Sequence, residues 1–379
     1  MLTRSIYEPE HEMFRDAVRK FFDKEMKPFH GEWEKAGKVP REFWRKAGEQ
    51  GLLCPQVPEE YGGAGGDYRY LAIVDEELGL AGASGPGFAV HSDIVCGYML
   101  KYASEDQKRE WLPKMVSGEV VTAIAMTEPG TGSDLQGVKT TGLLDGNHYV
   151  VNGNKTFISN GQNADLIIVV AKTDPNLGAK GISLILVEAT REGFSRGRNL
   201  DKMGMHAADT SELFFDEVRV PTSNLLGPEE GKGFIQLMSE LPQERLGIAL
   251  NAQAVAQYAY DLTVAYVKER KAFGKTVFDF QNTRFKLAEL KTQVEVGWAF
   301  CDKCIEHHLR HELTATDAAM AKLWVTEMLG RVVDEGVQLH GGYGFMNEYP
   351  ITRLYTDSRV QRIFGGTSEI MKELISRGI

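Results

Sequence analysis

Near the C-terminus the chain reads Arg362-Ile363-Phe364-Gly365-Gly366-Thr367-Ser368-Glu369-Ile370, and this stretch decides the fold. Its paired glycines free the backbone for a tight turn, and a short terminal helix follows from Thr367. Far upstream lies Leu241-Pro242-Gln243-Glu244-Arg245-Leu246, a carboxylate among apolar neighbours. The turn holds Gly365, which has no side chain, and Glu244 with Arg245, taken alone, reads as a surface ion pair on a helix.

Outward from the turn the chain is helical. Thr316 to Leu339 and Phe285 to His308 are two long helical stretches. Phe234, Leu237, Met238 and Leu241 mark one apolar face of a third, continued by Asn251 to Lys271. Pro242 is expected to bend or open it. Between Val121 and Pro221 the texture changes to strand formers: Asp165 to Ala171, Gly181 to Glu188, and Leu213 to Val220. Asp145-Gly146 and Asn152-Gly153 are tight-turn dipeptides that predict hairpins. About a hundred residues of short strands imply a compact barrel or sandwich. Phe14, Val18, Phe21 and Phe22 then repeat at helix spacing near the N-terminus. Helices over Arg41 to Gly51, Tyr68 to Ala81 and His91 to Tyr102 follow, separated by glycine-rich breaks.

At 379 residues the chain is too long for one core. A hydrophobic content of 42% with 25% charged residues is that of a soluble enzyme. The net charge of -10 argues against nucleic acid as a partner. It leaves room for an anionic ligand held by local Arg and Lys. Cys301-x-x-Cys304 has no second pair and sits in a helical pattern, so both thiols are read as structural and reduced. No apolar run reaches the roughly 18 residues of a membrane span, so integral membrane association is not expected. The first residues are too acidic for a transit peptide. The expected compartment is a bacterial-type cytoplasm, or the mitochondrial matrix for a processed chain.

Four motifs carry chemistry. Thr127-Glu128-Pro129-Gly130-Thr131-Gly132-Ser133-Asp134 exposes backbone N–H groups and short hydroxyls to a flat heterocycle or a phosphate. Its other reading is a plain loop entering a barrel. In Asn154-Lys155-Thr156-Phe157-Ile158-Ser159-Asn160, Phe157 is placed to stack on a ring while Ser159 bonds its edge; taken alone, it is an ordinary strand. Arg270-Lys271-Ala272-Phe273-Gly274, with Gln281, offers a bidentate phosphate contact, or only a solvated charge. Gln338-Leu339-His340-Gly341-Gly342-Tyr343-Gly344-Phe345 packs glycines behind a long helix. No second ligand stands at metal spacing from His340, which is read as structural, and no metal is expected.

These motifs, in this order and over nearly the whole chain, resemble the acyl-CoA dehydrogenase family. The resemblance implies a mainly α fold with a central β-barrel. Its three domains are an N-terminal helical domain (1–121), a middle β-barrel (122–230) and a C-terminal helical bundle (231–379). It also implies FAD as cofactor and a homotetramer, or at least a dimer. By position, Met126, Thr127, Phe157 and Ser159 would flank the isoalloxazine, and Ser133 would sit where flavin and acyl-CoA approach each other. Arg270, Phe273 and Gln281, with Gln338, Gly341 and Gly342, would reach a neighbouring subunit's FAD. Thr367 and Glu369 would complete the site, with Arg245 and Gly366 beside the substrate. Two positions depart from the family pattern: Thr131 replaces a smaller residue, and Phe157 replaces the frequent tryptophan. Neither removes a reacting group.

The implied reaction is α,β-dehydrogenation of an acyl thioester to the trans-2-enoyl-CoA. A base takes an α proton, and hydride passes to flavin N5. The backbone N–H of Gly365 and a flavin hydroxyl would polarise the thioester carbonyl. Many family members carry the base in the slot held here by Gly365. The long-chain enzymes and isovaleryl-CoA dehydrogenase carry it at the Glu244 position. A carboxylate in a dry pocket gains basicity by desolvation, and Arg245 is expected to steady its charge. The Leu241-to-Leu246 run and His91-Ser92-Asp93-Ile94-Val95 resemble the long-chain branch. Phe364 would crowd a branched acyl group. Electrons would pass to an electron-transfer flavoprotein. The alternatives are an isovaleryl or short branched-chain dehydrogenase, a same-fold flavin oxidase or monooxygenase, and a non-catalytic acyl-CoA scaffold.

Overall fold

The computed structural model describes residues 3–379. Six α-helices come first: α1 (Pro9–Glu25), α2 (His30–Ala36), α3 (Arg41–Glu49), α4 (Tyr68–Leu80), α5 (Cys96–Tyr102) and α6 (Glu105–Val116). Residues Ala89–Val95 wind as a π-helix that runs directly into α5. The expected phenylalanine stripe of α1 is buried, and Phe21 stacks on Phe43, which stacks on Phe88. Ser104 and Gln107 cap the start of α6 reciprocally.

Seven strands follow: β1 (Thr122–Ala125), β2 (Thr141–Asp145), β3 (His148–Ser159), β4 (Leu166–Lys172), β5 (Ile182–Glu188), β6 (Phe194–Asn199) and β7 (Thr210–Pro221). They form one sheet in the order β1-β4-β2-β3-β7-β6, with β5 also on β4. Among the described residues no pairing links β6 back to β1, so the sheet is an open barrel. β4 is apolar and buried from Leu166 to Ala171 because both its faces are covered. Leu166, Ile168 and Val170 pack with α5 and α6, while Ile167, Val169 and Ala171 fill the sheet's own interior.

Asp145-Gly146 makes the expected hairpin, with Asp145 paired to His148 and Gly146 at φ 63°. Asn152-Gly153 does not. It lies inside β3 at a bulge, where the register against β7 shifts. Gly153 is required there because Thr140 lies where a Cβ would stand.

The C-terminal part contains α7 (Gly233–Glu269), the short strands β8 (Lys271–Ala272) and β9 (Lys275–Thr276), α8 (Gln281–Leu309), α9 (Ala315–His340), α10 (Pro350–Ser358) and α11 (Ser368–Ser376). The expected opening at Pro242 is absent, since α7 continues through it for 37 residues. Packing against α4, α8 and α9 supplies what the proline's missing hydrogen bond does not. Cys301 and Cys304 are buried free thiols in α8. Arg4 bridges Glu76 of α4 and Asp302 of α8, tying the N-terminal segment to both helical layers. Among the described residues no helix is long and apolar enough to cross a membrane.

Candidate active site

Glu244 lies on α7 with only 6% of its surface exposed. Tyr98 of α5 donates its hydroxyl to Glu244 Oε1 at 3.0 Å. Burial pushes the Glu244 carboxyl up to about 7, against the Tyr98 hydroxyl and the Arg245 guanidinium, which both favour its charged form. Arg245 makes no ion pair with Glu244 among the described residues. Its Nε instead points at the Gly365 carbonyl oxygen, 3.4 Å away. Arg245 therefore acts on Glu244 through the field rather than by contact.

The Gly365 turn meets α7 and α9. Gly365 and Gly366 adopt φ of 62° and 97°, the left-handed region that glycine tolerates. Ile248, one turn beyond Glu244, fills the space that a side chain at 365 would enter. Lys322 of α9 reaches the other side, and its Nζ donates to the Gly366 carbonyl at 2.5 Å. Burial, and then the nearby Arg245, pull the Lys322 ammonium down to about 8. With both carbonyls drawn toward cations, the backbone N–H groups of Gly365, Gly366 and Thr367 find no acceptor among the described residues. Thr367 also caps α11, its hydroxyl accepting from Ile370 N–H at 3.3 Å. Glu369 lies exposed in the first turn of that helix.

A second group forms where β1 leaves the sheet. Lys155 is almost wholly buried. Its Nζ donates to the Met126 carbonyl at 3.1 Å, the Val170 carbonyl at 2.7 Å and Glu128 Oε1 at 2.9 Å. Thr156 N–H donates to the Thr127 carbonyl at 2.9 Å. The first two motifs are thus one unit held by a buried ion pair. Phe157 is left with φ 58° and 67% exposure. The ring therefore stands outside the core, free to meet another group. Ser159 and Met126 are half-buried, Ser133 is exposed, and Thr131 donates its hydroxyl to the Gly137 carbonyl. Met126 packs into the apolar cluster that contains Tyr98, which joins this unit to the Glu244 side.

The remaining predicted residues stand elsewhere. Arg270, Gln338, Gly341 and Gly342 line a cleft of about 500 Å³ together with Tyr266 and Tyr343. Open space lies where a Cβ would stand on Gly341 and Gly342. Phe273 is 93% exposed beside it, and Gln281 begins α8. Among the described residues no hydrogen bond, ion pair or ring contact joins this cleft to Phe157 or Glu244. His340 bonds the Gly336 carbonyl through Nδ1 and stacks on Tyr266, which fits a structural role. Tyr98, Ile248, Lys322 and the Glu128–Lys155 pair escaped the sequence reading. The only signal for Lys322 is a lone lysine in the alanine-rich apolar face of α9.

The displayed ring, the open glycine turns and the arginine-lined cleft fit a planar cofactor with an anionic tail. With a buried carboxylate of raised pKa, they define a flavin-type oxidoreductase site. Residues 8–119, 123–218 and 231–379 match the N-terminal, middle and C-terminal domains of acyl-CoA dehydrogenases. The chain is 53% identical to the mitochondrial long-chain specific acyl-CoA dehydrogenase of Sus scrofa, over 99% of this chain and 88% of that protein. An acyl-CoA dehydrogenase from Geobacillus kaustophilus is similar in structure, with TM-score 0.97, 52% identity and 99% of each chain covered. A glutaryl-CoA dehydrogenase from Mycobacterium smegmatis, solved in complex with FADH2, gives TM-score 0.92 at 28% identity, covering 100% of this chain and 96% of that one. The chain belongs to the acyl-CoA dehydrogenase family, and its cofactor is FAD.

Proposed function

We propose that this acyl-CoA dehydrogenase acts on long-chain acyl-CoA with Glu244 as its base. The observation that carries the reading is the contrast between two positions. Glu244 is buried, bonded to Tyr98 and poised near 7, while Gly365 has its side-chain space filled by Ile248. A base near neutrality combines a useful ionised fraction with real proton affinity. Glu244 takes the α proton, and Tyr98 holds its carboxylate in place. The N–H groups of the Gly365 turn receive the developing negative charge on the thioester oxygen, where fixed donors count most. FAD, when bound, supplies the acceptor for the hydrogen and electron pair leaving the β carbon. Met126, Thr127, Phe157 and Ser159 hold its ring system. Arg270, Phe273, Gln281, Gln338, Gly341 and Gly342 bind the FAD of a neighbouring subunit.

The exposed Phe273 and the separation of its cleft from Phe157 support a composite site in a homotetramer. Long-chain preference is supported by the Sus scrofa relative and by Phe364 beside the turn. An electron-transfer flavoprotein as acceptor, a cytoplasmic location and domains at 1–121, 122–230 and 231–379 complete the proposal. The test is anaerobic titration with palmitoyl-, octanoyl- and isovaleryl-CoA, following loss of the visible flavin band, in wild type and Glu244→Gln. Strongest bleaching by palmitoyl-CoA, abolished in Glu244→Gln, is expected. Wild-type bleaching by Glu244→Gln removes it as the base, and bleaching only by isovaleryl-CoA overturns the substrate.

A further inference from the structure

Asp75 of α4 and Asp93 of the π-helix are buried side by side, with 3% and 5% of their surfaces exposed. An oxygen of each carboxyl faces the same point beside Gly247, and each carboxyl shifts the proton affinity of the other. Among the described residues no Lys, Arg or His is paired with either. Among the described residues Asp75 Oδ2, Asp93 Oδ1 and the nearby Tyr68 hydroxyl have no hydrogen-bond partner. Two buried carboxylates without a cation cannot both stay ionised, so the pair keeps at least one proton.

The helix that carries Glu244 rests on this pair. Gln243 Nε2 donates to the Asp93 carbonyl at 3.0 Å, and Asn251 Nδ2 donates to the Asp75 carbonyl at 3.2 Å. Between them sits Gly247, where a Cβ would lie 3.0 Å from Asp75 Oδ2 and 3.7 Å from Asp93 Oδ2. Residues 243, 247 and 251 are spaced to share one helix face. Glu244 follows Gln243 directly, and Tyr98 lies on the helical run that begins with Asp93's π-turns. Whatever fixes Asp93 against α7 therefore also fixes Tyr98 against Glu244.

We propose that Asp75 and Asp93 share a proton between their carboxyls and are positioning residues for the base: the pair is the bed for the 243–251 face of α7 and sets Glu244 against Tyr98. The proposal rests on Glu244 being the base. Burial pushes Asp93 up to about 8, and burial together with Asp93 pushes Asp75 well up. The other titratable groups facing the pair are Tyr68 and Glu76 from α4, Cys54 from the preceding loop and Cys96 at the start of α5. The 243–251 face of α7 presents only amides and Gly247.

The test measures the limiting rate of anaerobic flavin reduction by palmitoyl-CoA, its concentration dependence, and melting temperature against pH. Asp93→Asn keeps a donor to Asp75 without a shared proton. It is expected to hold the limiting rate within about threefold of wild type. Its melting temperature should fall less steeply between the usual carboxylate range and about 8, because a raised carboxyl pKa takes stability away as pH climbs through that window. Asp93→Leu breaks the link, and Gly247→Ala crowds Asp75 Oδ2 and shifts it against α7. Each is expected to lower the limiting rate roughly tenfold to a hundredfold while the half-saturating concentration stays within about threefold. Should Asp93→Leu fail to fold, Gly247→Ala decides. Wild-type limiting rates in the folded variants overturn the proposal. So does a loss in Asp93→Asn equal to that in Asp93→Leu. Glu244→Gln, run alongside, separates the two readings: if it reduces flavin normally, the base assignment fails; if it is dead while Gly247→Ala is normal, only the positioning role fails.

Discussion

Ile248 occupies the space that a side chain on Gly365 would need. Both residues border the same turn, and Ile248 lies one helical turn beyond Glu244 on α7. The helix that brings a carboxylate to the site thus also closes the slot from which another could come. Gly365→Ala meets two costs, a left-handed φ of 62° and the Ile248 collision. We expect a loss of about 1–3 kcal/mol in urea unfolding. Ile248→Ala in the same chain should return only part of it, because the backbone strain remains.

Tyr98 donates to the charged form of Glu244, so Tyr98→Phe must raise the Glu244 pKa further above about 7. A hydrogen bond to a charged group contributes about 1.5–3 kcal/mol, which places the shift at roughly one to two units. In wild type the rate of flavin reduction should climb with pH through about 7 as Glu244 ionises. In Tyr98→Phe the midpoint should move to alkaline pH, with the greatest loss of rate below neutrality. A single-turnover pH profile of both proteins checks this. An unmoved midpoint would remove Tyr98 from the proton balance of Glu244.

The order of helices, strands and helices was legible because hydrophobic periodicity changes from helical to strand-like near Val121 and back near Gly233. Asn152-Gly153 misled because a turn dipeptide and a bulge dipeptide look alike in sequence. Only the approach of Thr140 distinguishes them. Pro242 misled because local rules omit the packing that carries α7 past it. Glu244 stood out only through the resemblance and the glycine at 365; by its neighbours alone it reads as a surface partner of Arg245, and its burial comes from tertiary packing. Tyr98 was not, since a tyrosine 146 positions away reaches it only through tertiary packing. The Asp75–Asp93 pair was hidden for the same reason, each aspartate reading as an ordinary polar helix residue.

Lys155 and Glu128 form a buried pair that joins the Thr127 loop to the Phe157 strand. Lys155→Met leaves Glu128 buried with its cation gone. Breaking one partner of such a pair costs about 3–5 kcal/mol. Adding Glu128→Gln should recover much of that stability, because no unpaired charge remains. It should not restore the loop, since the Met126 and Val170 carbonyls still lack their donor. We therefore expect both variants to purify with low FAD content, and the double variant to melt higher than the single one. Full flavin occupancy in Lys155→Met would show that the two motifs bind FAD without this tie.

Lys322 acts on the opposite side of the turn. Its ammonium is the donor to the Gly366 carbonyl, and with Arg245 at the Gly365 carbonyl it draws both oxygens away from the free N–H groups. Peptide planarity means that a carbonyl fixed in one direction fixes the following N–H in the other. Lys322→Met releases the Gly366–Thr367 plane while preserving the length of the side chain. The Thr367 N–H loses its alignment directly and the turn that carries the Gly365 N–H loses an anchor, so the limiting rate should fall by at least about tenfold, with KM little changed. Lys322→Gln, which keeps an N–H donor, should recover part of the rate. Steady-state kinetics with palmitoyl-CoA checks this split. A raised KM at unchanged kcat would instead place Lys322 in ground-state binding of the acyl-CoA.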